Sequence, residues 1–395
     1  MTPPLPAMAP FHLAIALDGT GWHPASWREP GARPADQFGA DFWVEQVREA
    51  ENGLATFVTI EDGFTAARVP GDEGRSDRAQ GRLDATLIAQ RVGPTTEHVG
   101  IVPTVVATHT EPFHVSTQIA TLDWVTSGRA GERIKVSTGD AEYALFGRRQ
   151  PGTESRDALF DEAADHVEVQ RRLWDSWEDD AEIRDVATGR FVDRDKLHYI
   201  DFVGTHFAVR GPSITPRPPQ GQPVVTALAH VDTAYRLAAR AADVVFTTPD
   251  GTGRDGPTGD AATTLAAARA AEREVGRTGE PLVVVGDLLV LLDDDAAGAR
   301  AQLSRLDAVA PLRSDAAVLA GSVTDVADTL ESWAAAGLTG ARLRPAVATN
   351  DLPRITRELA PELARRGLTR GAWGEPGSLR DLLGLPRPAD RYAHA

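Results

Sequence analysis

The sequence contains no cysteine. Disulfides, thiolate catalysis and cysteine-ligated zinc are therefore excluded. Its start, MTPPLPAMAPFHLAIAL, lacks the basic region and the long apolar stretch of a secretory signal. No apolar run reaches the length needed to cross a bilayer. There is no block of lysine and arginine, and the formal net charge is −16. A phosphate backbone would be repelled by such a chain, so nucleic acid is not an expected partner. A cytoplasmic protein without membrane contact is the expectation.

What is present is a regular alternation. A chain of 395 residues holds one large barrel or two ordinary domains, with a core that needs no staples. Strand-like runs are FHLAIAL (11–17), ATFVTI (55–60), VGIVPTVVA (99–107), RIKVS (133–137), PVVTALA (223–229), DVVFTT (243–248), LVVVGDLLVLL (282–292) and ARLRPAV (341–347). A helical pattern follows each of them. Asp36 reads as an N-cap for the first helix, and Gly53 as its stop. A long helix is read through Leu159 to Trp177, with Trp174 and Trp177 on one stripe. Eight such units predict an α/β protein, a (β/α)8 barrel with insertions; an open doubly wound sheet is the alternative. The expected organisation is a disordered tail at 1–10, a barrel over 11–370 and a C-terminal extension at 371–395. Residues 180–222 break the alternation and read as an insertion. It contains a hairpin turning at Gly204 and a proline-rich return. The loop 147–157 is a second candidate lid.

In such a barrel chemistry belongs at the C-terminal ends of the strands. One of those ends is the turn ALAHVDTAY (227–235), which carries His230, Val231 and Asp232 and no glycine. Turns that hold a phosphate usually carry glycine and serine, so that bare N–H groups face the anion. GTGRDG (251–256) matches a dinucleotide fingerprint in letters, but its proline-flanked setting reads as a loop. HTEPFH (109–114) supplies His109, Glu111 and His114, yet Pro112 starts a helix between them, which is poor geometry for a metal. No metal site is expected. His109 reads instead as a polar group lining a pocket. Glu61 and Asp62 are neighbours on a strand, so only one can face the barrel mouth. The modest aromatic content, 6%, also argues against a glycosidase. No G-x-S-x-G elbow is present.

Several stretches together resemble the bacterial luciferase-like flavin monooxygenases, in the branch of nitrilotriacetate and dibenzothiophene-sulfone monooxygenases. They are HVGIVPTVVATHTEPFHVSTQIATLDWVTSGRAG (98–131), EVQRRLWDSWEDDA (168–181), GPSITPRPPQGQPVV (211–225), LAARAADVVFT (237–247) and GSVTDVADTLESWAAAGLTGARL (321–343). The resemblance covers nearly the whole chain. It implies a TIM barrel, often dimeric. It also implies reduced FMN delivered by a separate NAD(P)H:flavin reductase, with O2 and a small organic substrate. Some relatives transfer hydride with F420 instead. Carried over position by position, the resemblance puts Asp62, Thr104 and Ser137 around the flavin ring. The family's Trp and Asn on the fourth strand are replaced by Glu132 and Arg133. Its phosphate-reaching His and Tyr fall at Arg156 and Phe160, and its phosphate turn falls on ALAHVDTAY. Two readings follow. Either Arg156 and His230 rebuild the phosphate site with relocated cations, or the site is lost and the barrel is a catalytically silent subunit. The relocated-cation reading is preferred. His109 is the expected catalytic-site residue nearest the substrate.

Overall fold

The computed structural model of the chain describes residues 11–65, 74–150, 152–253 and 255–393. Eight parallel strands form the frame: β1 (His12–Leu17), β2 (Phe57–Ile60), β3 (Gly100–Val106), β4 (Gly131–Lys135), β5 (Val224–Leu228), β6 (Val244–Thr247), β7 (Val283–Leu292) and β8 (Gly340–Pro345). Each pairs with its neighbour in order, and β8 returns to β1 with Gly340 opposite His12. The sheet is therefore a closed (β/α)8 barrel, and the open-sheet alternative falls. Each expected run coincides with a strand, although β4 begins two residues before RIKVS and ends at Lys135, which leaves Ser137 in the loop after it. A parallel strand covered on both faces must be apolar on both, and that makes such runs visible.

The helices that wrap the barrel include α1 (Ala40–Asn52), α2 (Ala85–Val92), α3 (Pro112–Val125), α4 (Arg156–Trp174), α5 (Asp232–Ala241), α6 (Ala261–Val275), α7 (Ala296–Asp307) and α8 (Val323–Ala335), and a continuous helical segment from Ala348 to Arg365 follows β8. Their starts follow local chemistry. Asp84 accepts from the Leu87 N–H, Ser155 from Ala158, and Ser322 with Asp325 forms a capping box. Two expected boundaries are corrected. Gly39, not Asp36, is the N-cap of α1, because Asp36 is held in a separate 3₁₀ turn, Asp36–Phe38. The long helix ends at Trp174, so Trp177 shares no helical stripe with it. Trp177 instead bridges to Leu197 and donates its indole N–H to Ser213 O, 2.8 Å, which ties down the insertion.

Within 180–222 the hairpin around Gly204 is present as Phe202–Val203 paired antiparallel with Ala208–Val209. A second hairpin, Glu182–Asp185 with Arg190–Val192, precedes it. Ile200 and Phe202 pack on Val169 and Leu173, the outer face of α4. A short strand unread in the sequence, Ala317–Gly321, pairs with the second half of β7 after β6 has left its first half. The tail expected at 1–10 lies outside the described residues.

The barrel interior changes character along its axis. Near the N-terminal end it is apolar: Ala14, Phe57, Val102, Val224, Val244, Phe246, Val283 and Val285 pack with Leu379, Leu383 and Leu385 from the C-terminal segment. That segment closes the bottom of the barrel. Gly100 makes room for it, since a Cβ there would lie 2.6 Å from Leu379 Cδ1. Towards the C-terminal end the inward positions become Thr59, Arg133, Asp287, Arg342 and Arg344, all buried.

Candidate active site

Buried charges need partners, and at the barrel mouth they are arranged in two groups. The first is centred on Glu61. Its carboxylate accepts from Arg133 Nη1 at 2.5 Å and from Lys135 Nζ at 2.9 Å. Burial alone would push this acid up, but Arg133 and Lys135 more than offset that and hold it far below the usual carboxylate range. Arg133 also donates to Thr104 Oγ1, 3.1 Å. The second group is centred on Asp287. Arg342 binds it with two donors, Nε at 2.6 Å and Nη2 at 2.5 Å. Arg344 donates to the same carboxylate through Nε, 3.0 Å, and to Asp315 through Nη1, 2.6 Å. The guanidinium of Arg342 lies 3.9 Å over the Phe246 ring, and that of Arg344 4.7 Å over Trp22. Trp22 is held in the mouth by its indole N–H on Ala16 O, 2.8 Å.

The six residues singled out in the sequence fall in four places. Asp62 follows β2, but its carboxylate accepts from the Ala85 N–H, 2.8 Å, and the Gly63 N–H, 2.7 Å. It thus caps α2, and burial raises it to about 6. Glu61, on the opposite face of the strand, is the acid that meets Arg133 and Lys135. Thr104 is buried beside Arg133. Ser137 and His109 are joined through Thr108, whose hydroxyl accepts from the Ser137 N–H at 2.9 Å. His109 stacks on Phe146 with ring centroids 4.6 Å apart, and the edges of Phe64 and Tyr143 approach it. Tyr143 and Phe146 come from a short helix, Asp140–Phe146, that the sequence did not reveal. The other two metal-motif side chains turn elsewhere: Glu111 pairs with Arg148 and His114 contacts Gln118.

Arg156 and His230 lie on the far side of the mouth. Arg156 opens α4, is exposed, and pairs with Asp255 at 2.5 Å. His230 has its Nδ1 3.9 Å from Asp315 Oδ2. The loop of the GTGRDG stretch lies between them, since a Cβ on Gly253 would fall 3.8 Å from His230 Cβ. Val231 is the N-cap of α5 and offers no side-chain cap; the Ala234 N–H bonds Val231 O at 3.0 Å, which leaves the N–H groups of Asp232 and Thr233 to face a ligand. Thr248 Oγ1, at the end of β6, is fully buried without a hydrogen-bond partner. This donor set suits a phosphate, while Asp232 and Asp255 oppose one.

A cleft of about 890 Å³ opens at the opposite end of the barrel, between Arg171, Asp243, Gly276 and Arg380. Arg171 and Arg380 both pair with Asp243 there. It faces the N-terminal ends of the strands, so it is not where this architecture does chemistry.

Comparison with known proteins agrees with the geometry. Residues 22–383 match the luciferase-like monooxygenase family model. Nitrilotriacetate monooxygenase component A of Aminobacter aminovorans is 30% identical over 463 aligned positions, covering 97% of this chain and 98% of that protein. Dibenzothiophene-sulfone monooxygenase of Rhodococcus erythropolis is 32% identical over 226 positions, covering 56% of this chain and 49% of its own length. In three dimensions the EDTA monooxygenase of Chelativorans sp. BNC1 superposes with a TM-score of 0.81 at 22% identity, covering 96% of this chain and 99% of that one. The chain belongs to the luciferase-like monooxygenase family of enzymes.

Proposed function

We propose that this enzyme is a flavin-dependent monooxygenase that receives reduced FMN from a separate NAD(P)H:flavin reductase and acts with O2 on a small organic substrate. The observation that carries the reading is the end-to-end similarity to a protein named as the component A of a monooxygenase. The donor set at the mouth supports it. The open N–H groups at the start of α5, Thr248, Arg156 and His230 would hold the phosphate. Thr104, Arg133 and Ser137 would border the ring, with Asp62 holding α2 in place behind them. Reduced flavin, when bound, supplies the electrons that activate O2. The protein's part is to position ring and substrate and to keep water from them. His109, between Phe64, Tyr143 and Phe146, faces the substrate side.

Titration with FMN, anaerobically reduced FMN and F420 tests this. Reduced FMN is expected to bind in the micromolar range, and Arg156→Ala to weaken it about tenfold, the effect of one charge-assisted hydrogen bond. Asp255→Asn, which frees Arg156, is expected to tighten it. Unchanged affinity in Arg156→Ala would remove the relocated cation. Binding of F420 alone would move the enzyme to hydride transfer, and binding of none of the three would make it a silent subunit. With the reductase present, His109→Ala should lower turnover more than flavin affinity. Turnover equal to the parent would take His109 out of the site.

A further inference from the structure

Two buried polar atoms at the mouth face each other without a hydrogen-bond partner: His109 Nε2 and Glu142 Oε2, 3.9 Å apart. His109 is 6% exposed and Glu142 8%. Neither is free to swing away. The other oxygen of Glu142, Oε1, accepts from the Phe64 N–H at 3.1 Å. The imidazole is clamped flat against Phe146, with an interplanar angle of 3°, and edged by Phe64 and Tyr143. The separation is too long for a direct hydrogen bond, yet both atoms can lie about 2.8 Å from one third atom set beside them. Buried polar groups are normally satisfied, so one bridging atom between these two would complete both.

The chemistry of the pair narrows that partner. A carboxylate oxygen only accepts, while the imidazole Nε2 can donate. An oxygen that donates to one and accepts from the other belongs to water or to a ligand hydroxyl, and a ligand hydroxyl can take the place of that water. Beside the pair stand two carbon surfaces, the half-buried Phe64 ring and the Phe146 ring, which is 36% exposed, and both can take an apolar frame; the charges of Lys135, Arg148, Arg149 and Glu162 lie around them. We propose that His109 and Glu142 form a subsite for a hydroxyl group carried on an apolar frame, and that it selects the substrate of this enzyme. The subsite itself stands on the geometry above, and only its service to a monooxygenase rests on the function proposed in the preceding subsection.

Phenol and toluene, which differ by the hydroxyl alone in polar character, are the probes. Binding to the full chain is followed through its histidine imidazole resonances. Phenol is expected to bind about tenfold tighter than toluene or better, the effect of hydrogen bonds to a charged group. Glu142→Ala and His109→Phe should each erase most of that preference. Equal binding of the two probes, binding of neither, or a preference that survives both substitutions would overturn the subsite. The flavin titration is read separately. A phenol preference without flavin binding would sink the monooxygenase reading and leave the subsite, and the converse would sink only the subsite.

Discussion

Asp287→Ala is expected to destabilise the enzyme by about 3–5 kcal/mol, the cost of breaking a buried ion pair from one side. Asp287 is fully buried on the inner face of β7 and receives four donors, two each from Arg342 and Arg344. Without it Arg342, itself fully buried, keeps only Thr59 Oγ1 at 3.3 Å and the Phe246 face. Arg344 keeps Asp315. Asp287→Asn retains the volume and loses the charge, so it should fall near the alanine variant. Replacing both Asp287 and Arg342, by Leu and Met, should cost less than Asp287→Ala alone, because no naked guanidinium then remains. Urea unfolding of the four proteins measures this. A loss below about 1 kcal/mol in Asp287→Ala, within the range of an exposed pair, would show that the network is not what holds this end of the barrel.

Glu132→Gln should instead stabilise the protein, and only above acidic pH. Glu132 points outward from β4 into the packing against α4, with no exposure and no hydrogen-bond partner on either oxygen. Burial pushes it from its ordinary 4.5 up to about 8, against the pull of Arg171 and the nearby Gln170. The folded state therefore keeps a proton that the unfolded chain releases. This contribution is intact below pH 4.5 and is lost as the pH rises towards 8, at about 1.4 kcal/mol per unit. Gln cannot titrate, so the variant should match the parent near pH 4 and exceed it by several kcal/mol near pH 8. The difference between the two profiles isolates this group from Asp123 and Asp351, which burial raises to about 7. Parallel profiles would mean that Glu132 is solvated or paired in solution.

Much of this was legible in order of residues. Most of the strands could be read because they are runs of buried apolar positions bounded by polar turns, as VVVGDLLVLL in β7 shows; GERIK in β4 and GARLRP in β8 carry charges instead. The hairpin at Gly204 followed from turn chemistry. The site was legible only in part. Asp62 and Glu61 were seen to face opposite ways, but which of them entered the mouth depended on the register of β2 against β1 and β3. The aspartate inside the apolar run of β7, and the alternating arginines of ARLRP in β8, were signals of buried pairing that went unread. Glu142, Tyr143 and Phe146 gave none, because a seven-residue helix after β4 is too short for its periodicity to stand out.

Sequence alone determined the eight alternating strand-and-helix units and the place of the insertion, because these follow from local pattern, while the pairing of β8 with β1 decided that the sheet closes. The sequence also determined which charges were available. Only the tertiary structure decided how they pair. Glu61 reaches Arg133 across 72 positions, Asp287 reaches Arg342 across 55, and Arg156 meets Asp255 across 99. Closing the barrel brings such residues within hydrogen-bond distance, and no periodicity within one strand or helix encodes a contact between two of them.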